Sequence, residues 1–490
     1  MNALIEPLGP WRDPADVAGL FARHKMPALL HSGGVPSLGA QDADINRWSI
    51  LCADPFEIVE WSPGQRGDLF RRLEAAVARH RASAAPESPF TGGAVGFVGY
   101  EAGKAVETIR PSPDRRRPLG AAQELSRLPG MLFGLYAWAI VWDHHLRTWA
   151  VVSTGLPEKG GVRQARASVD AEAVRRVLRD EIPPAGDPSP SASCPPAMLS
   201  TSVDRERYLG MVQEARGLIA AGEFYQVNLS QRIELPAPDD PLSLFREVCR
   251  HSPAPFSAYL DAGAFQVISA SPERFLRLRG RSVESRPIKG TRPRGATPAG
   301  DADLAGQLLA SAKDRAENVM IVDLVRNDLG RVCLPGSVKA VEVCRLESYA
   351  SVHHLVSIVR GELAPDVDRA DLLYAMFPGG SMTGAPKVRA MQAIEDLEPV
   401  ERGIYAGALG YLSFCGGMDL SIVIRTAVVA GGRTWLSVGG GIVADSDPAQ
   451  EWQESLDKAS SLLKGMAGMT ATSRSAGRPR PKTTSPRSAR

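Results

Sequence analysis

Short runs of strand-forming residues, each ended by glycine or proline, recur through the first 153 residues of this 490-residue chain. Runs of β-branched and aromatic residues between such breaks are typical of β-strands. The predicted strands cover residues 27–31, 48–52, 56–61, 93–100 and 135–142. One amphipathic helix is predicted over 68–82, because its apolar residues recur at helical spacing. The sequence therefore predicts a β-rich N-terminal domain, 1–153.

A change in composition separates this part from the rest of the chain. Residues 182–196 are rich in Pro, Ser and Ala, a composition that buries too little apolar surface to fold by itself. Together with a predicted helix, 169–178, they form a predicted linker region, 154–200. A second domain is predicted over 201–466, and the basic tail that follows it, 467–490, is expected to be disordered.

The second domain combines helical patterns with strands. Its longest helical pattern is 303–329, and Asp447 is the predicted N-cap of the final helix. The other predicted helices are 204–221, 370–376 and 386–397, and the predicted strands are 224–235, 407–414, 419–429 and 434–442. The last three strands have the spacing of an antiparallel meander.

Charge and cysteine usage exclude several classes of protein. Lys and Arg number 57 against 55 Asp and Glu, and the basic surplus lies in the tail, where no acid follows Asp457. The folded part therefore offers no surface for nucleic acid. The six cysteines lack metal-ligand spacing, which predicts reduced thiols without zinc or disulfides. The chain begins without signal-peptide features and has no membrane-spanning apolar run, so we expect a cytoplasmic protein without membrane contact.

Lys289 lies in a short stretch, 286–291, in which Pro287 restricts one backbone dihedral and Gly290 permits an unusual one. An alternating run, 265–278, precedes it, so we place the lysine where a strand gives way to a loop. A lysine in a partly desolvated cleft loses its proton more easily and becomes a nucleophile. On this stretch alone, the alternative of a solvated lysine beside a turn is the better supported.

Two predicted helices carry pairs of acids at a spacing that places both on one side of a helix. Asp314 and Glu317 form the first pair, and Glu451 and Glu454 form the second, with Lys458 one turn further on. If the helices meet, only a hard divalent cation would hold these carboxylates together, and oxygen ligands favour Mg²⁺. The alternative for either helix alone is a solvated face with ordinary ion pairs.

Glycines and single polar residues mark further candidate positions. Gly439-Gly440-Gly441 lies between a strand and the final helix, and 381–384 precedes another helix, so both can present backbone N–H groups to an anion. Arg425 lies in an otherwise apolar predicted strand and needs a carboxylate partner, from a ligand or from the protein. Tyr405 and His354 belong either to the core or to a ligand pocket.

Together these motifs resemble those of the chorismate-utilising enzymes. The resemblance is strong from about residue 201 to residue 465, and thinner in the N-terminal half. The motifs of the second half are Phe224-Tyr225-Gln226-Val227-Asn228-Leu229-Ser230, Ser271-Pro272-Glu273-Arg274, Pro287-Ile288-Lys289-Gly290-Thr291, the stretch 314–328, Thr383-Gly384-Ala385-Pro386-Lys387 and Gly439-Gly440-Gly441-Ile442. We therefore expect an α+β fold of two packed antiparallel β-sheets with outer helices, in which the N-terminal part wraps the catalytic part.

Lysine at position 289 distinguishes branches of this family. Anthranilate synthases usually have alanine there, whereas lysine is typical of members that aminate chorismate at C4 through a covalent adduct. The resemblance implies that Lys289 adds to C2 while Glu273, as general acid, assists departure of the C4 hydroxyl, and that ammonia then expels the lysine. Gln226 stands where water-adding members have lysine, so hydration is disfavoured. The expected product is 4-amino-4-deoxychorismate, for p-aminobenzoate and folate synthesis.

Two alternatives to this activity stay open. One is anthranilate formation, and the other is a non-catalytic subunit that binds chorismate or tryptophan. The sequence contains no glutaminase domain with a nucleophilic cysteine, so ammonia is expected from a separate glutamine amidotransferase subunit or from free ammonium.

The resemblance also implies the remaining site residues. Mg²⁺ is expected on Glu317 and Glu454, with Glu451 and Asp314 nearby through water. The implied chorismate contacts are Gln226, Thr291, His354, Tyr405, Arg425, Gly439, Gly441 and Lys458. Leu30 and Ser32 belong to a segment that resembles the family's tryptophan-binding element.

Overall fold

Two β-sheets contain all the named strands of the computed structural model, which describes residues 3–32, 44–65, 67–83, 85, 88–113, 125–180 and 200–475. The strands are β1 Leu4–Pro7, β2 Ala28–His31, β3 Trp48–Cys52, β4 Glu57–Trp61, β5 Gly93–Val98, β6 Met131–Tyr136, β7 Trp138–Asp143, β8 Thr148–Ser153, β9 Ser200–Thr201, β10 Gln226–Pro236, β11 Phe256–Asp261, β12 Phe265–Ser271, β13 Arg274–Arg279, β14 Ser282–Ser285, β15 Ile288–Pro293, β16 Lys339–Ser348, β17 Val352–Glu362, β18 Gly384–Ala385, β19 Ala408–Ser413, β20 Met418–Ile422, β21 Thr426–Ala430 and β22 Arg433–Ile442. The helices are α1 Pro14–Leu20, α2 Leu69–Ala78, α3 Gly103–Val106, α4 Gly160–Asp180, α5 Arg205–Ala220, α6 Pro241–His251, α7 Pro298–Ala310, α8 Ala312–Gly330, α9 Arg369–Met376, α10 Lys387–Leu397 and α11 Pro448–Ser475.

Each sheet contains strands from both halves of the chain, arranged as two contiguous blocks that meet at one pairing. Among the described residues, the first sheet has 12 strands in the order β1-β8-β7-β3-β2-β11-β12-β21-β22-β10-β18, with β9 beside β10. The second has 10 strands in the order β15-β17-β14-β13-β20-β19-β5-β6-β4, with β16 beside β17. The pairings β2–β11 and β5–β19 join the two halves and are antiparallel. The predicted N-terminal domain, 1–153, and the predicted catalytic domain, 201–466, therefore share both sheets.

The apolar core has three layers. Side chains between the sheets, such as Phe97, Tyr136 and Val267, form one cluster. A second cluster joins the outer face of the first sheet to α1, α4, α6 and α11, and a third joins the second sheet to α2, α8, α9 and α10. Each sheet thus buries one face against the other sheet and one against helices. The predicted fold class, α+β with two packed antiparallel sheets and outer helices, is confirmed.

Three predicted strands are each divided in the structure, at points where the chain passes from one sheet to the other. The predicted strand 135–142 becomes β6 and β7, the run 265–278 becomes β12 and β13, and 419–429 becomes β20 and β21. Both halves of each run are buried, so the apolar pattern continues across the break. The predicted meander of three strands was therefore wrong, because four strands in two sheets occupy that region.

The predicted helix 303–329 is likewise two helices, α7 and α8. Ser311 separates them with extended backbone, and its hydroxyl accepts a hydrogen bond from the N–H of Asp314 at 3.2 Å as the N-cap of α8. The apolar spacing of 303–329 conceals this break. The N-cap predicted at Asp447 is confirmed, since its carboxylate accepts from the N–H of Gln450 at 2.9 Å.

Helices extend further than predicted near two segments expected to be disordered or mobile. The predicted helix 169–178 is part of α4, and the predicted mobile stretch 182–196 lies outside the described residues. α11 continues to Ser475, past the predicted start of the tail at 467, and residues 476–490 lie outside the described part. None of the helices in the described ranges combines the length and apolar character that a membrane crossing requires.

Candidate active site

Glu273 and Arg425 lie at two neighbouring crossings of the chain between the sheets. Glu273 stands between β12 and β13, and Arg425 stands between β20 and β21. Backbone hydrogen bonds join the crossings, from Ile422 N to Glu273 O and from Ala270 N to Arg425 O, each 3.0 Å. Arg425 has a φ of 49°, a left-handed conformation, so it lies in a bend and its predicted place within a strand was wrong.

Lys289 lies in a distorted part of β15. Pairing of β15 with β17 is irregular between Ile288 and Thr291, and Gly290 has a φ of 84°. A Cβ at Gly290 would lie 2.9 Å from the Cβ of Asp314, so glycine lets α8 approach this bulge. The predicted position at the end of a strand was therefore wrong, although the predicted constraint on the backbone is present.

The Lys289 amine lies in a partly buried position between both sheets. Its Nζ donates a hydrogen bond to the main-chain oxygen of Ser381 at 3.1 Å. The same Nζ lies 3.3 Å from the position of a Cβ built on Gly441, in β22 of the first sheet. Burial lowers the pKa of Lys289, against the opposing charge of Glu317. The amine is therefore easier to deprotonate than a solvated lysine.

Glu273 is a buried carboxyl with only 4% of its surface exposed. Burial raises its pKa to about 7, although a hydrogen bond with the Ser381 side chain and the charge of Lys289 act in the opposite direction. Near neutral pH, a substantial fraction of Glu273 carries a proton. The predicted nucleophile and the predicted acid thus lie close enough for the charge of each to act on the pKa of the other.

His354 is a neutral acceptor beside Arg425. It faces Thr291 across the β15–β17 pairing, and its Nδ1 lies 2.8 Å from the Thr291 hydroxyl. Burial, and secondly the charge of Arg425, lower the pKa of His354 to about 3. A guanidinium only donates, so the Arg425 nitrogen 3.3 Å away donates to Nε2, and the imidazole proton resides on Nδ1.

Gln226 begins β10 and lies beside both Glu317 and Gly441. Its Nε2 donates to Glu317 Oε2 at 3.4 Å, and its Oε1 has no hydrogen-bond partner among the described residues. A Cβ at Gly441 would lie 2.2 Å from Gln226 Nε2, so a larger residue there would displace this amide. The structure therefore brings Gln226, Gly441 and Lys289 together.

The carboxylates of α11 lie against the glycine-rich end of β22. A Cβ at Gly440 would lie 3.0 Å from Glu451 Oε2 and 3.8 Å from Glu454 Oε1. Lys458 Nζ lies 2.7 Å from Glu454 Oε1 and donates to Gly439 O at 2.9 Å. The charge of Lys458 lowers the pKa of Glu454, whereas burial raises the pKa of Glu451.

The four predicted metal ligands do not form a preassembled metal site. The described residues contain no group of three or more His, Cys, Asp or Glu side chains arranged to hold a metal ion. Instead, each acid lies beside a donor side chain. Gln226 donates to Glu317, and the three other acids form ion pairs: Glu454 with Lys458, Glu451 with Lys313, and Asp314 with Arg292. Burial, and the charge of Glu451, raise the pKa of Glu317. Carboxylate oxygens are the ligands that Mg²⁺ prefers, so the residue types fit this ion, although three of the four acids are paired with a lysine or an arginine in this arrangement.

Tyr405 is buried in a turn before β19. It lines a cavity with Val423 and Thr426, which flank Arg425 in the chain, and with Ser437, which lies two residues before Gly439. The Arg402 guanidinium lies 5.9 Å from the Tyr405 ring centre. Arg425 and Gly439 are not themselves among the residues that line this cavity, so a shared ligand contact of Tyr405 with them stays a prediction.

Leu30 and Ser32 line a separate cavity between the sheets, together with Phe256, Arg274 and Tyr411. The Ser32 hydroxyl donates to the main-chain oxygen of Trp48 at 2.6 Å, so this hydrogen bond fixes the Ser32 side chain in the cavity wall.

Sequence reasoning missed the contact of Ser381 with Lys289, and it placed Lys387 beside the candidate anion site at 381–384. Lys387 instead pairs with the buried carboxylate of Asp328 at 2.7 Å and has a structural role. Gly379-Gly380 was the available signal for Ser381, since paired glycines before a helix permit close packing of a turn.

Comparisons with known proteins agree with this arrangement. The family model described as chorismate binding enzyme matches residues 39–464. Aminodeoxychorismate synthase component 1 of Salmonella typhimurium is 42% identical and aligns over 93% of this chain and 96% of its own. Anthranilate synthase component 1 of Streptomyces coelicolor is 39% identical over 81% of this chain and 77% of its own. The crystal structure of anthranilate synthase component I from Streptococcus pneumoniae superposes with a TM-score of 0.73, at 32% identity, over 85% of this chain and 92% of its own.

Proposed function

Because the chain belongs to the chorismate binding enzyme family, we propose that it converts chorismate and ammonia into 4-amino-4-deoxychorismate, the reaction of an aminodeoxychorismate synthase component 1. One observation carries the choice over anthranilate formation. The partly buried amine of Lys289, with its lowered pKa, lies beside the buried carboxyl of Glu273, whose pKa of about 7 keeps a proton available. Anthranilate formation needs no amine there.

The reaction uses these two groups in opposite protonation states. Neutral Lys289 adds to C2 of the ring, both ring double bonds shift (C1=C2 to C1=C6 and C5=C6 to C4=C5), and the C4–O bond breaks as Glu273 gives its proton to the departing hydroxyl, which leaves as water. Ammonia then adds to C4, both double bonds shift back, and the C2–N bond to Lys289 breaks. The surplus ammonia proton returns to the Glu273 carboxylate, which restores the starting state.

Cationic and neutral donors hold the two carboxylates of the substrate. Arg425 lies in the same wall as Glu273 and can accept a carboxylate in a bidentate arrangement. The N–H groups of Gly439 and Gly441, with Tyr405, offer further donors for the enolpyruvyl group. Thr291 and the neutral His354 line the ring position, where a charged imidazole would disturb the acid–amine pair.

Mg²⁺ is held in this proposal by Glu317 and Glu454, with Glu451 and Asp314 nearby through water. When bound, the ion supplies positive charge that neutralises a substrate carboxylate. Lys458, close to Glu454, contributes to the same charge balance. The residues support this assignment because the carboxylates converge from α8 and α11 near Gly440 and Gln226.

A separate cytoplasmic glutamine amidotransferase subunit supplies the ammonia in this proposal, and free ammonium replaces it in its absence. The cavity lined by Leu30 and Ser32 takes tryptophan. Apolar walls from both sheets support that ligand, whereas the Arg274 guanidinium in the lining is already paired with Asp419 and Glu284.

Product identification tests the proposal. The purified chain is incubated with chorismate, MgCl₂ and ammonium salt, with and without a glutaminase subunit and glutamine, and the products are separated and weighed by mass spectrometry. We expect 4-amino-4-deoxychorismate. Anthranilate as the sole product would assign the chain to the anthranilate-forming members of the family. Unchanged chorismate in every incubation would support a non-catalytic binding subunit.

A further inference from the structure

We propose that Asn228, with Gln226 beside it, binds the ammonia that attacks the adduct on Lys289. This inference deepens the proposed function and rests on it, because the site serves the second half of that reaction. Two buried carboxamide oxygens carry it, Gln226 Oε1 and Asn228 Oδ1, which have no hydrogen-bond partner among the described residues.

The Asn228 side chain projects from the first sheet on the side of Lys289. Asn228 of β10 lies directly opposite Gly441 of β22. Residues opposite each other in an antiparallel pair have their side chains on the same face, with Cβ atoms about 4.5–5.5 Å apart. A Cβ built on Gly441 would lie 3.3 Å from Lys289 Nζ. The Asn228 side chain and the Lys289 amine therefore lie near the same point.

Gln226 adds a second carboxamide to this face. Side chains two residues apart on a strand share a face, so Gln226 and Asn228 are neighbours along β10. Gln226 Nε2 donates to Glu317 Oε2 at 3.4 Å, which orients the carboxamide. Because the NH₂ group faces that acid, the Gln226 oxygen is turned away from it.

The main chain holds Asn228 in place independently of its side chain. Its N–H donates to Thr383 O at 2.8 Å, and its main-chain oxygen accepts from the Arg402 guanidinium at 2.7 Å. Only 6% of the residue is exposed. A buried amide oxygen without a donor costs free energy, so this position favours a ligand that supplies one. The carboxamide can turn about its last torsion, which lets its oxygen face a ligand beside Gly441.

Ammonia is the reactant that still lacks a binding partner. In the proposed function, the substrate carboxylates have Arg425, glycine N–H groups and Mg²⁺, and the leaving hydroxyl has Glu273. Ammonia carries three N–H groups and one lone pair, so two acceptor oxygens can hold it and leave the lone pair free for C4. The C4–N bond forms from that lone pair, the C2–N bond to Lys289 breaks, and the surplus proton goes to Glu273.

Uncharged acceptors suit this step better than carboxylates do. A carboxylate beside Lys289 would favour the charged form of the lysine, and it would attract ammonium, which has no lone pair. Carboxamide oxygens accept N–H groups without either effect. The pair therefore favours the reactive form of both nitrogen nucleophiles.

The test compares Asn228→Val with Asn228→Thr, which have the same shape and differ by a methyl group in place of a hydroxyl acceptor. Both are β-branched and fit a strand. Gln231→Met is the control, because Gln231 is a buried carboxamide on the other face of the same strand, where its Nε2 donates to Ser455 at 2.7 Å. The adduct is formed with chorismate and MgCl₂ without ammonia and is then mixed with increasing free ammonia, and intact-protein mass spectrometry follows its decay.

We expect the free ammonia concentration for half-maximal adduct decay to rise about 5- to 10-fold in Asn228→Val, the effect of one lost neutral hydrogen bond, and less in Asn228→Thr. Adduct formation should match that of the wild type in every variant, which also shows that each variant has folded. No rise in either Asn228 variant, or an equal rise in Gln231→Met, would overturn the ammonia site. Slower adduct formation with an unchanged ammonia dependence would assign Asn228 to chorismate and overturn it as well.

The same experiment separates this inference from the proposed function. A wild-type chain that forms no adduct and aminates no chorismate would reject the proposed function, and the ammonia site with it. A wild type that does both, beside Asn228 variants that match it, would reject the ammonia site alone.

Discussion

One guanidinium nitrogen of Arg425 lies 3.3 Å from Nε2 of His354, and Arg425 forms no ion pair with an acid in the described ranges. Burial lowers the pKa of Arg425, and the nearby charge of Glu273 offsets part of this effect. A desolvated cation without a paired carboxylate is costly unless a ligand supplies the anion. Of the two partners that the sequence left open for Arg425, a ligand and a protein acid, this geometry favours the ligand.

Arg425→Lys is therefore expected to raise KM for chorismate about 10- to 100-fold while kcat changes less, because lysine cannot replace a bidentate guanidinium. Steady-state kinetics at saturating ammonium and Mg²⁺ measure both constants. Arg433→Lys is the matched control, since Arg433 lies on β22 with its side chain 40% exposed and weakly paired to Glu234 at 3.4 Å. Equal KM values for wild type and Arg425→Lys would exclude this role.

Lys289→Ala is expected to reduce amination to the background rate and to leave Mg²⁺ affinity nearly unchanged, because the lysine is the nucleophile and no metal ligand. Intact-protein mass spectrometry with chorismate and without ammonia should show a covalent adduct in the wild type and none in the variant. Lys339→Ala, at an exposed position of β16 in the same sheet, should keep both the adduct and the rate. Equal amination by wild type and Lys289→Ala would contradict the covalent step.

Glu454→Ala is expected to weaken Mg²⁺ binding about 10- to 100-fold, the usual effect of removing a metal ligand or its immediate support. Isothermal titration calorimetry with MgCl₂ measures the affinity directly, without turnover. Asp457→Ala removes an exposed acid one turn further along α11, whose carboxylate accepts only from Gln453 at 2.9 Å, and should bind Mg²⁺ as the wild type does. If both variants lost affinity equally, the effect would be one of overall charge and Glu454 would not be a ligand.

The amination rate should depend on pH, because the reaction needs Glu273 protonated and Lys289 neutral. Glu273, with a pKa of about 7 raised by burial, is competent as an acid below that value and loses its proton above it. Amination at constant free ammonia should therefore fall as pH rises through about 7, and it should fall again at low pH as Lys289 becomes charged. Glu273→Gln, which cannot donate a proton, should remove the basic limb together with most of the rate. A basic limb that persists in Glu273→Gln would assign it to another group.

Local signals in the sequence predicted most elements, because caps and periodicity act over a few residues. The Asp447 cap and the strand 48–52 are present as predicted. The crossings at 137 and at 423–425 were not predictable in this way, since a run buried in one sheet and a run buried in the other have the same apolar pattern. Which sheet a strand joins depends on partners more than 100 residues away, such as β5 beside β19.

The site residues likewise divide into those that local motifs predict and those whose role depends on distant parts of the chain. Lys289 and Glu273 were predicted from motifs because the chemistry restricts residue type at those positions. Ser381 was not, because its contact with Lys289 uses a main-chain oxygen, which every residue type possesses. The neutral state of His354 was equally hidden, since it depends on burial and on Arg425 from a distant crossing.

The buried ion pair between Glu398 and Arg402 connects stability to this site. Their side chains are 2% and 1% exposed, Glu398 Oε1 also accepts from the N–H of Ser230 at 2.8 Å, and Arg402 donates to Met382 O at 2.8 Å. Glu398→Ala would leave a buried guanidinium unpaired, so we expect a loss of about 3–5 kcal/mol in the free energy of unfolding. Urea denaturation followed by circular dichroism measures this loss.

A double variant separates the charge effect from lost packing. Glu398→Met combined with Arg402→Met removes both charges and keeps apolar volume, so it should be less destabilised than either single replacement by methionine. Arg402→Met alone also frees the carbonyl next to Ser381, and we expect its amination rate to fall more than that of Glu234→Met, a partly buried acid near the C-terminal end of β10. Additive losses of stability in the double variant would mean that the two charges act independently, and that the pair does not hold the turn beside Lys289.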